Sequence, residues 1–204
     1  MRLYEFDQSI QELSYTDPGI KKHLTKLGYK PAGEGGDQTT WIGPDGGILK
    51  IFGTQEGQTG MTADHRMFAF WAKFSKANAS NPYMPRFSGW TEFEFPQGSG
   101  QTYLQIKMEK LSPVSDSSEE TILDYMKWSV EQGRSFEEYK SILSNKFGNK
   151  ILKSPLLSNT QLWDIVSNIN SIGAKHGWGL DLHSENYMKR GNQVVIVDPW
   201  VASS

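Results

Sequence analysis

The sequences GLDLHSEN at residues 179–186 and VDPW at residues 197–200 decide how this chain is interpreted. Asp181 and Asn186 stand five positions apart in a polar loop, and Asp198 follows a run of β-branched residues. Mg²⁺ takes oxygen ligands, usually a few protein groups together with phosphate and water. Asn186 and Asp198 are therefore candidate metal ligands, and Asp181 is left for another role.

Composition places the rest of the chain in the class of folded globular proteins. The 204 residues include seven Trp, and aromatic residues make up 12% of the chain, so large side chains are available for a core. Cysteine is absent, which excludes disulfides and thiolate zinc sites. The net charge of −2 predicts no nucleic-acid or membrane partner. Because no long apolar segment occurs, we expect a soluble, cytoplasmic protein.

The first half of the chain has the pattern of an antiparallel sheet. Short β-prone runs at residues 38–42 and 48–52 flank Pro-Asp-Gly-Gly at residues 44–47, which predicts a hairpin. Runs at 86–95 and 101–108 predict a second hairpin. Between the two, apolar residues at helical spacing in 61–77 predict one amphipathic helix with its aromatic residues in the core.

The second half is predicted to be helical. Helical patterns cover about 118–132, 136–147 and 160–176, and a short strand pair follows over 186–197 with its turn at 190–192. The acidic cluster at residues 116–120 indicates a helix N-terminus, with Ser117 or Ser118 as the capping residue. The boundary between the β-rich and the α-rich half falls near residue 112.

The spacing of Asp181, Asn186 and Asp198 resembles the catalytic loop and metal-binding motif of the protein-kinase-like superfamily, which includes the aminoglycoside and choline phosphotransferases. The form Asp-x-His-x-x-Asn is closer to that small-molecule branch than to eukaryotic protein kinases. The resemblance covers about residues 29–200. It implies ATP and Mg²⁺ as cofactors, Asp181 as the base for an attacking hydroxyl, and Asn186 and Asp198 as the Mg²⁺ ligands.

The resemblance also implies nucleotide-binding residues in the first half. Gly33, Gly35 and Gly36 are similar to a glycine loop that covers phosphates. Lys50, a charged residue within the apolar run 48–52, is similar to the strand lysine that pairs with the α- and β-phosphates. Such a lysine needs an acidic partner. Asp64 in the following helix is the best placed candidate.

Glu56, in the loop before that helix, is the alternative partner for Lys50. The segment 108–111 resembles the hinge that binds adenine, which implies contacts from Glu109 and Leu111. The implied architecture is an α+β, two-lobed protein-kinase-like fold. Its expected parts are a helical extension at 1–28, a lobe at 29–111 with a five-stranded antiparallel sheet and one helix, and a reduced helical lobe at 112–204.

The sequence departs from the family pattern in ways that leave other functions open. Gly179-Leu180 replaces the usual His followed by Arg or Gly, and the chain ends six residues after Asp198. We therefore keep two alternatives to phosphotransfer onto a hydroxyl of a small-molecule or protein substrate. One is a pseudokinase or nucleotide-binding regulatory scaffold, and the other is a kinase-fold enzyme that catalyses adenylylation.

Simpler interpretations exist for the same residues. Residues 181–186 could be a polar loop that caps a helix end, and residues 33–36 could be a plain turn. Lys50 could lie on an edge strand and face solvent. His183 could be a metal ligand, although no second His stands at ligand spacing.

Overall fold

The computed structural model describes residues 22, 24–34, 38–52, 63–94, 102–148, 151, 154–183 and 186–202. The chain divides into two compact units, Met1–Ala79 with Pro85–Lys110 (unit 1) and Ser80–Met84 with Leu111–Ser204 (unit 2). Most of the predicted helical extension at 1–28 lies outside the described residues. The domain boundaries predicted at 28 and 111 stay predictions.

The described part of unit 1 contains the predicted five-stranded antiparallel sheet and the predicted amphipathic helix. The strand order is β1-β2-β3-β5-β4. The elements are β1 Lys30–Glu34, β2 Gln38–Ile42, β3 Ile48–Phe52, helix α1 Ala63–Ala77, β4 Phe87–Glu94 and β5 Thr102–Met108. The α+β class and the antiparallel sheet are thereby confirmed.

The hairpin between β2 and β3 forms at the predicted Pro-Asp-Gly-Gly sequence. The Gly43 amide donates to the Gly47 carbonyl at 2.7 Å, and Gly46 has φ +79°. Asp45 stabilises the turn by accepting from the Gly47 amide at 3.0 Å and from Lys107 Nζ at 2.7 Å. The Lys107 hydrogen bond, with the Gly47 amide second, lowers the pKa of Asp45 below its ordinary value.

One buried cluster of unit 1 lies between α1 and one face of the sheet. Phe52 and Phe68 contact each other with ring centroids 4.8 Å apart, and Phe68 meets Phe87 edge-on at 6.2 Å. The buried members of this cluster are Phe52, Phe68, Ala69, Ala72, Leu104 and Ile106. The predicted role of the helix aromatics in core packing is confirmed for Phe68 and for Trp71, which is also buried.

The described residues of unit 2 form three long helices and two small sheets. The helices are α2 Ser117–Glu131, α3 Phe136–Phe147 and α4 Thr160–His176. One sheet has the order β6-β8-β9, and the other pairs β7 with β10. The strands are β6 Ser112–Pro113, β7 Trp178–Leu180, β8 Tyr187–Arg190, β9 Gln193–Ile196 and β10 Trp200–Ala202. The helices and the β8–β9 hairpin match the sequence-based prediction, whereas β6, β7 and β10 were not predicted.

The N-cap of α2 is Asp116, so the prediction of Ser117 or Ser118 as the cap was wrong. Asp116 has extended backbone angles, φ −94° and ψ 111°, and its Oδ1 accepts from the Ser118 amide at 2.8 Å. Ser117 and Ser118 are the first two residues of the helix and lie within its first turn. A carboxylate at this position satisfies a free amide and interacts favourably with the helix dipole.

We expect Gly46→Ala to lower the free energy of unfolding by about 1 kcal/mol, because an L-residue with a Cβ resists the left-handed conformation. No atom lies within 4 Å of an added Cβ at this position, so the effect measures backbone conformation alone. Gly46→Asn should lose less, since Asn tolerates this region. Urea unfolding of both variants checks the prediction, and equal stability of the alanine variant and the wild type would contradict it.

Candidate functional site

The loop from Asp181 to Asn186 is closed by the Asn186 carboxamide. Asn186 Nδ2 donates to the Asp181 carbonyl oxygen at 2.6 Å and reaches Asp181 Oδ2 at 3.3 Å. It also lies 3.1 Å from His183 Nε2. The loop follows strand β7 and not a helix, so the alternative interpretation as a cap of a helix end was wrong.

These contacts fix which way the Asn186 carboxamide faces. A backbone carbonyl only accepts hydrogen bonds, so the atom 2.6 Å from the Asp181 carbonyl must be the amide nitrogen. Oδ1 of Asn186 therefore lies on the opposite side of the carboxamide, turned away from Asp181. This is the atom that a hard cation would use.

Two backbone hydrogen bonds place Asp198 beside this loop. The Val197 amide donates to the Asn186 carbonyl at 2.9 Å, and the Asp181 amide donates to the Pro199 carbonyl at 2.8 Å. The residues on both sides of Asp198 are thus bonded to the two ends of the loop. The structure therefore brings together the backbones of the three residues that the sequence singled out.

Trp200 anchors the segment that follows Asp198. Its ring is 4% exposed, and its Nε1 donates to the Ile169 carbonyl of α4 at 3.0 Å. The ring also meets Trp178 of β7 at a centroid distance of 5.3 Å. Trp200 pairs with Leu180 across the two strands. Leu180 directly precedes Asp181, and Trp200 stands two residues after Asp198, so the anchoring ring is close in sequence to both site residues.

A glycine in α4 makes room for this tryptophan. A Cβ added at Gly173 would lie 2.8 Å from Trp200 Nε1 and 3.0 Å from the Trp178 carbonyl. Sequence reasoning missed both Gly173 and Trp200 as residues that build the site. An isolated glycine within a helical pattern was the available signal, since it indicates close approach of another group.

The β8–β9 hairpin connects Asn186 to the segment that contains Asp198. Val194, Val195 and Ile196 are buried, and the Ile196 amide donates to the Tyr83 carbonyl at 2.9 Å. Arg190 clamps the same segment of unit 2, with Nη1 3.1 Å from the Pro82 carbonyl and Nη2 2.9 Å from the Met84 carbonyl. The interaction of Arg190 with this segment was not predicted.

The donor set of the site suits a hard cation that brings ligands of its own. Among the described residues, no group of three or more His, Cys, Asp and Glu side chains is arranged to hold a metal. Asn186 and Asp198 offer one carboxamide and one carboxylate, which matches Mg²⁺ completed by phosphate and water. His183 Nε2 lies 3.1 Å from Asn186 Nδ2 and 3.6 Å from Asp181 Oδ2.

Lys50 lies in the central strand of the sheet in unit 1, since β3 stands between β2 and β5. The alternative of an edge-strand position is therefore wrong. Its Nζ lies 4.6 Å from the centroid of the Phe68 ring, on the side of the sheet that faces α1. Asp64 lies in the first turn of α1, but its side chain and Glu56 are outside the described part of the chain.

The other predicted nucleotide contacts lie as follows. Gly33 is in β1, opposite Thr40, while Gly35 and Gly36 are outside the described residues. Glu109 follows β5, where its amide donates to the Arg86 carbonyl at 3.0 Å and its Oε1 accepts from the Arg86 amide at 2.8 Å. Leu111 is buried in unit 2.

The sequence matches no protein-family model and no curated protein sequence. Two of the solved structures that resemble it are a "putative fructosamine-3-kinase" from Haemophilus somnus 129PT and the ternary complex of streptomycin, ATP and APH(2″)-IIa. Each is 13% identical with a TM-score of 0.34. The first match covers 89% of this chain and 72% of the other protein. The second covers 94% of this chain and 74% of the other protein. Because the TM-scores and identities are low, the function proposed for this chain rests on its own contacts.

Among the described helices, none combines the length and the apolar character that crossing a membrane requires.

We expect Gly173→Ala to lower the free energy of unfolding by about 1–3 kcal/mol, because the new methyl group would overlap the Trp200 ring and a backbone carbonyl. Alanine is otherwise the better helix former, by about 1 kcal/mol, so a stabilised variant would contradict the packing described here. Ser171→Ala, at an exposed position of the same helix, is the matched control and should change stability by less than about 0.5 kcal/mol. Urea unfolding followed by Trp fluorescence measures both variants.

Proposed function

We propose that the chain is an ATP- and Mg²⁺-dependent, kinase-like phosphotransferase that acts on a hydroxyl group of a small-molecule or protein substrate. One observation supports this more than any other. The two backbone hydrogen bonds on either side of Asp198 hold it against the loop of Asp181 and Asn186. The residues proposed to hold the cation, Asn186 and Asp198, and the residue proposed to accept the proton, Asp181, therefore lie on backbone segments that are hydrogen-bonded to one another.

In this proposal Asn186 and Asp198 hold Mg²⁺. Asn186 uses Oδ1, the atom that its hydrogen bonds to Asp181 turn outward. Bound Mg²⁺ would neutralise charge on the phosphate groups during transfer. The burial of Val197 and Trp200 on either side keeps the Asp198 backbone in place, so little ordering is needed when the cation binds.

Asp181 is proposed to orient the substrate hydroxyl and accept its proton. Its side chain is 35% exposed, so a hydroxyl group can reach it. Its backbone is fixed by the bond from its amide to the Pro199 carbonyl, and its Oδ2 accepts from Asn186. A positioned carboxylate of this kind contributes roughly 10²–10⁴-fold to the rate.

In unit 1, Lys50 is the proposed phosphate-binding lysine, with Asp64 as its proposed acidic partner. Gly33, Gly35 and Gly36 are the proposed phosphate loop. Position 109 is proposed to contact adenine through its carbonyl oxygen, because the amide of Glu109 already donates to Arg86. The contact proposed for Leu111 also comes from its backbone.

We expect Asp198→Ala to abolish Mg²⁺-dependent nucleotide binding, because it removes the charged metal ligand. Asp181→Ala should leave binding intact and lower turnover by about 10²–10⁴-fold. Thermal-shift titration with ATP and Mg²⁺ measures binding, since a ligand at 100 times its dissociation constant adds about 2.7 kcal/mol of stability. Asp164→Ala, at an exposed position of α4, is the control and should alter neither quantity.

The outcomes separate the proposed function from its alternatives. Undiminished turnover of Asp181→Ala would overturn the role of Asp181 as base. The absence of any thermal shift of the wild type at millimolar ATP would favour a nucleotide-free regulatory scaffold. Transfer of a label from the α-phosphate, and not from the γ-phosphate, would show adenylylation.

A further inference from the structure

We infer that His183 is a positioning residue that holds the Asn186 carboxamide in its metal-binding orientation. The imidazole is 48% exposed and has its Nε2 3.1 Å from Asn186 Nδ2. The inference deepens the proposed function, on which its metal-binding consequence rests. The contact itself is a property of the protein without any ligand.

The geometry determines whether His183 Nε2 donates or accepts in its contact with Asn186. Asn186 Nδ2 can only donate hydrogen bonds, because its contact with the Asp181 carbonyl identifies it as the amide nitrogen. Two donors do not face each other at 3.1 Å, so His183 Nε2 must present its lone pair and accept. The Asp181 carboxylate is farther from Nε2, with Oδ2 at 3.6 Å, which is too long for a hydrogen bond. His183 Nε2 is therefore the acceptor in its contact with Asn186.

His183 gives Asn186 an acceptor that does not depend on the Asp181 side chain. One hydrogen of Nδ2 is used by the Asp181 carbonyl at 2.6 Å. Two further acceptors lie within reach of Nδ2, His183 Nε2 at 3.1 Å and Asp181 Oδ2 at 3.3 Å. When the Asp181 carboxylate turns to a substrate hydroxyl, His183 keeps the second hydrogen bonded, so Oδ1 stays directed at the cation.

Asp181 and Asn186 are therefore able to perform their proposed roles independently of each other. The Asp181 carboxylate is able to turn without disturbing Asn186, because the carboxamide is held by the Asp181 backbone carbonyl and by the His183 imidazole. Groups that orient a metal ligand commonly contribute 10–100-fold to metal affinity. We expect the lower end for His183, because its ring is half exposed and the bond to the Asp181 carbonyl remains in its absence.

The first measurement uses the metal-free and nucleotide-free protein. The imidazole ¹⁵N shifts of His183 should show an unprotonated Nε2 and a protonated Nδ1, and His183→Ala should shift the Asn186 side-chain amide resonances and speed their hydrogen exchange. His183→Gln, whose Oε1 can accept, should restore the slower exchange. His176→Ala, which removes a ring that stacks on Trp178 at 4.5 Å, is the control and should leave these resonances unchanged. A protonated Nε2, or Asn186 resonances unaffected by His183→Ala, would overturn the inference.

The second measurement titrates Mg²⁺ at a fixed concentration of ATP. His183→Ala should raise the Mg²⁺ concentration for half-maximal nucleotide binding roughly tenfold, His183→Gln should recover most of it, and the loss should be larger in an Asp181→Ala background. An unchanged Mg²⁺ requirement in His183→Ala would overturn the metal-binding consequence. If the wild type binds no Mg²⁺ with ATP while the ¹⁵N shifts are as expected, the proposed function fails and the positioning of Asn186 by His183 stands.

Discussion

Two backbone hydrogen bonds, from the Val197 amide to the Asn186 carbonyl and from the Asp181 amide to the Pro199 carbonyl, are the interactions on which the site depends. They join chain segments that are separated by more than ten residues, and they leave Asp198 between them. Strands β7 and β10 have three residues each, which is too short to be stable alone. The pairing needs an anchor outside the two strands. Trp200 provides it through its buried ring and its bond to α4, and Gly173 leaves the space for that ring.

Local sequence patterns were sufficient to predict most elements of this fold. The hairpin at residues 44–47 follows from residues whose backbone preferences match the turn, as the positive φ of Gly46 shows. Helices α3 and α4 begin and end where the apolar spacing indicated. These elements could be predicted because the contacts that determine each of them are made by residues close together in the sequence.

The parts that could not be predicted depend on contacts between distant residues. The three-residue strands β7 and β10 have too few side chains to show a period, and their pairing comes from the packing of Trp200 against α4. Arg190 gave no local indication that it binds the carbonyls of Pro82 and Met84, more than one hundred residues away. The observed cap, Asp116, directly precedes Ser117, so the predicted helix start differed from the observed one by as little as one residue. A difference of this size is within the ordinary uncertainty of helix ends.

The candidate site was partly accessible from the sequence. The types and spacing of Asp181, Asn186 and Asp198 predicted a cation and proton-transfer chemistry, but not the direction of each side chain. The orientation of the Asn186 carboxamide follows from a bond to a backbone carbonyl, which no sequence motif displays. The same bond is the basis for our proposal that His183 positions Asn186 and does not itself bind the metal.

The measurement that tests the central claim most directly uses Mn²⁺ in place of Mg²⁺, in the presence of ATP, and records the backbone amide spectrum of the protein. Paramagnetic broadening falls steeply with distance from the ion, so it locates the cation without relying on turnover. The account predicts that the amide resonances of Asn186 and Asp198 broaden first and that Asp198→Ala prevents this broadening. Sharp resonances at both positions, with broadening elsewhere in the chain or nowhere, would contradict it.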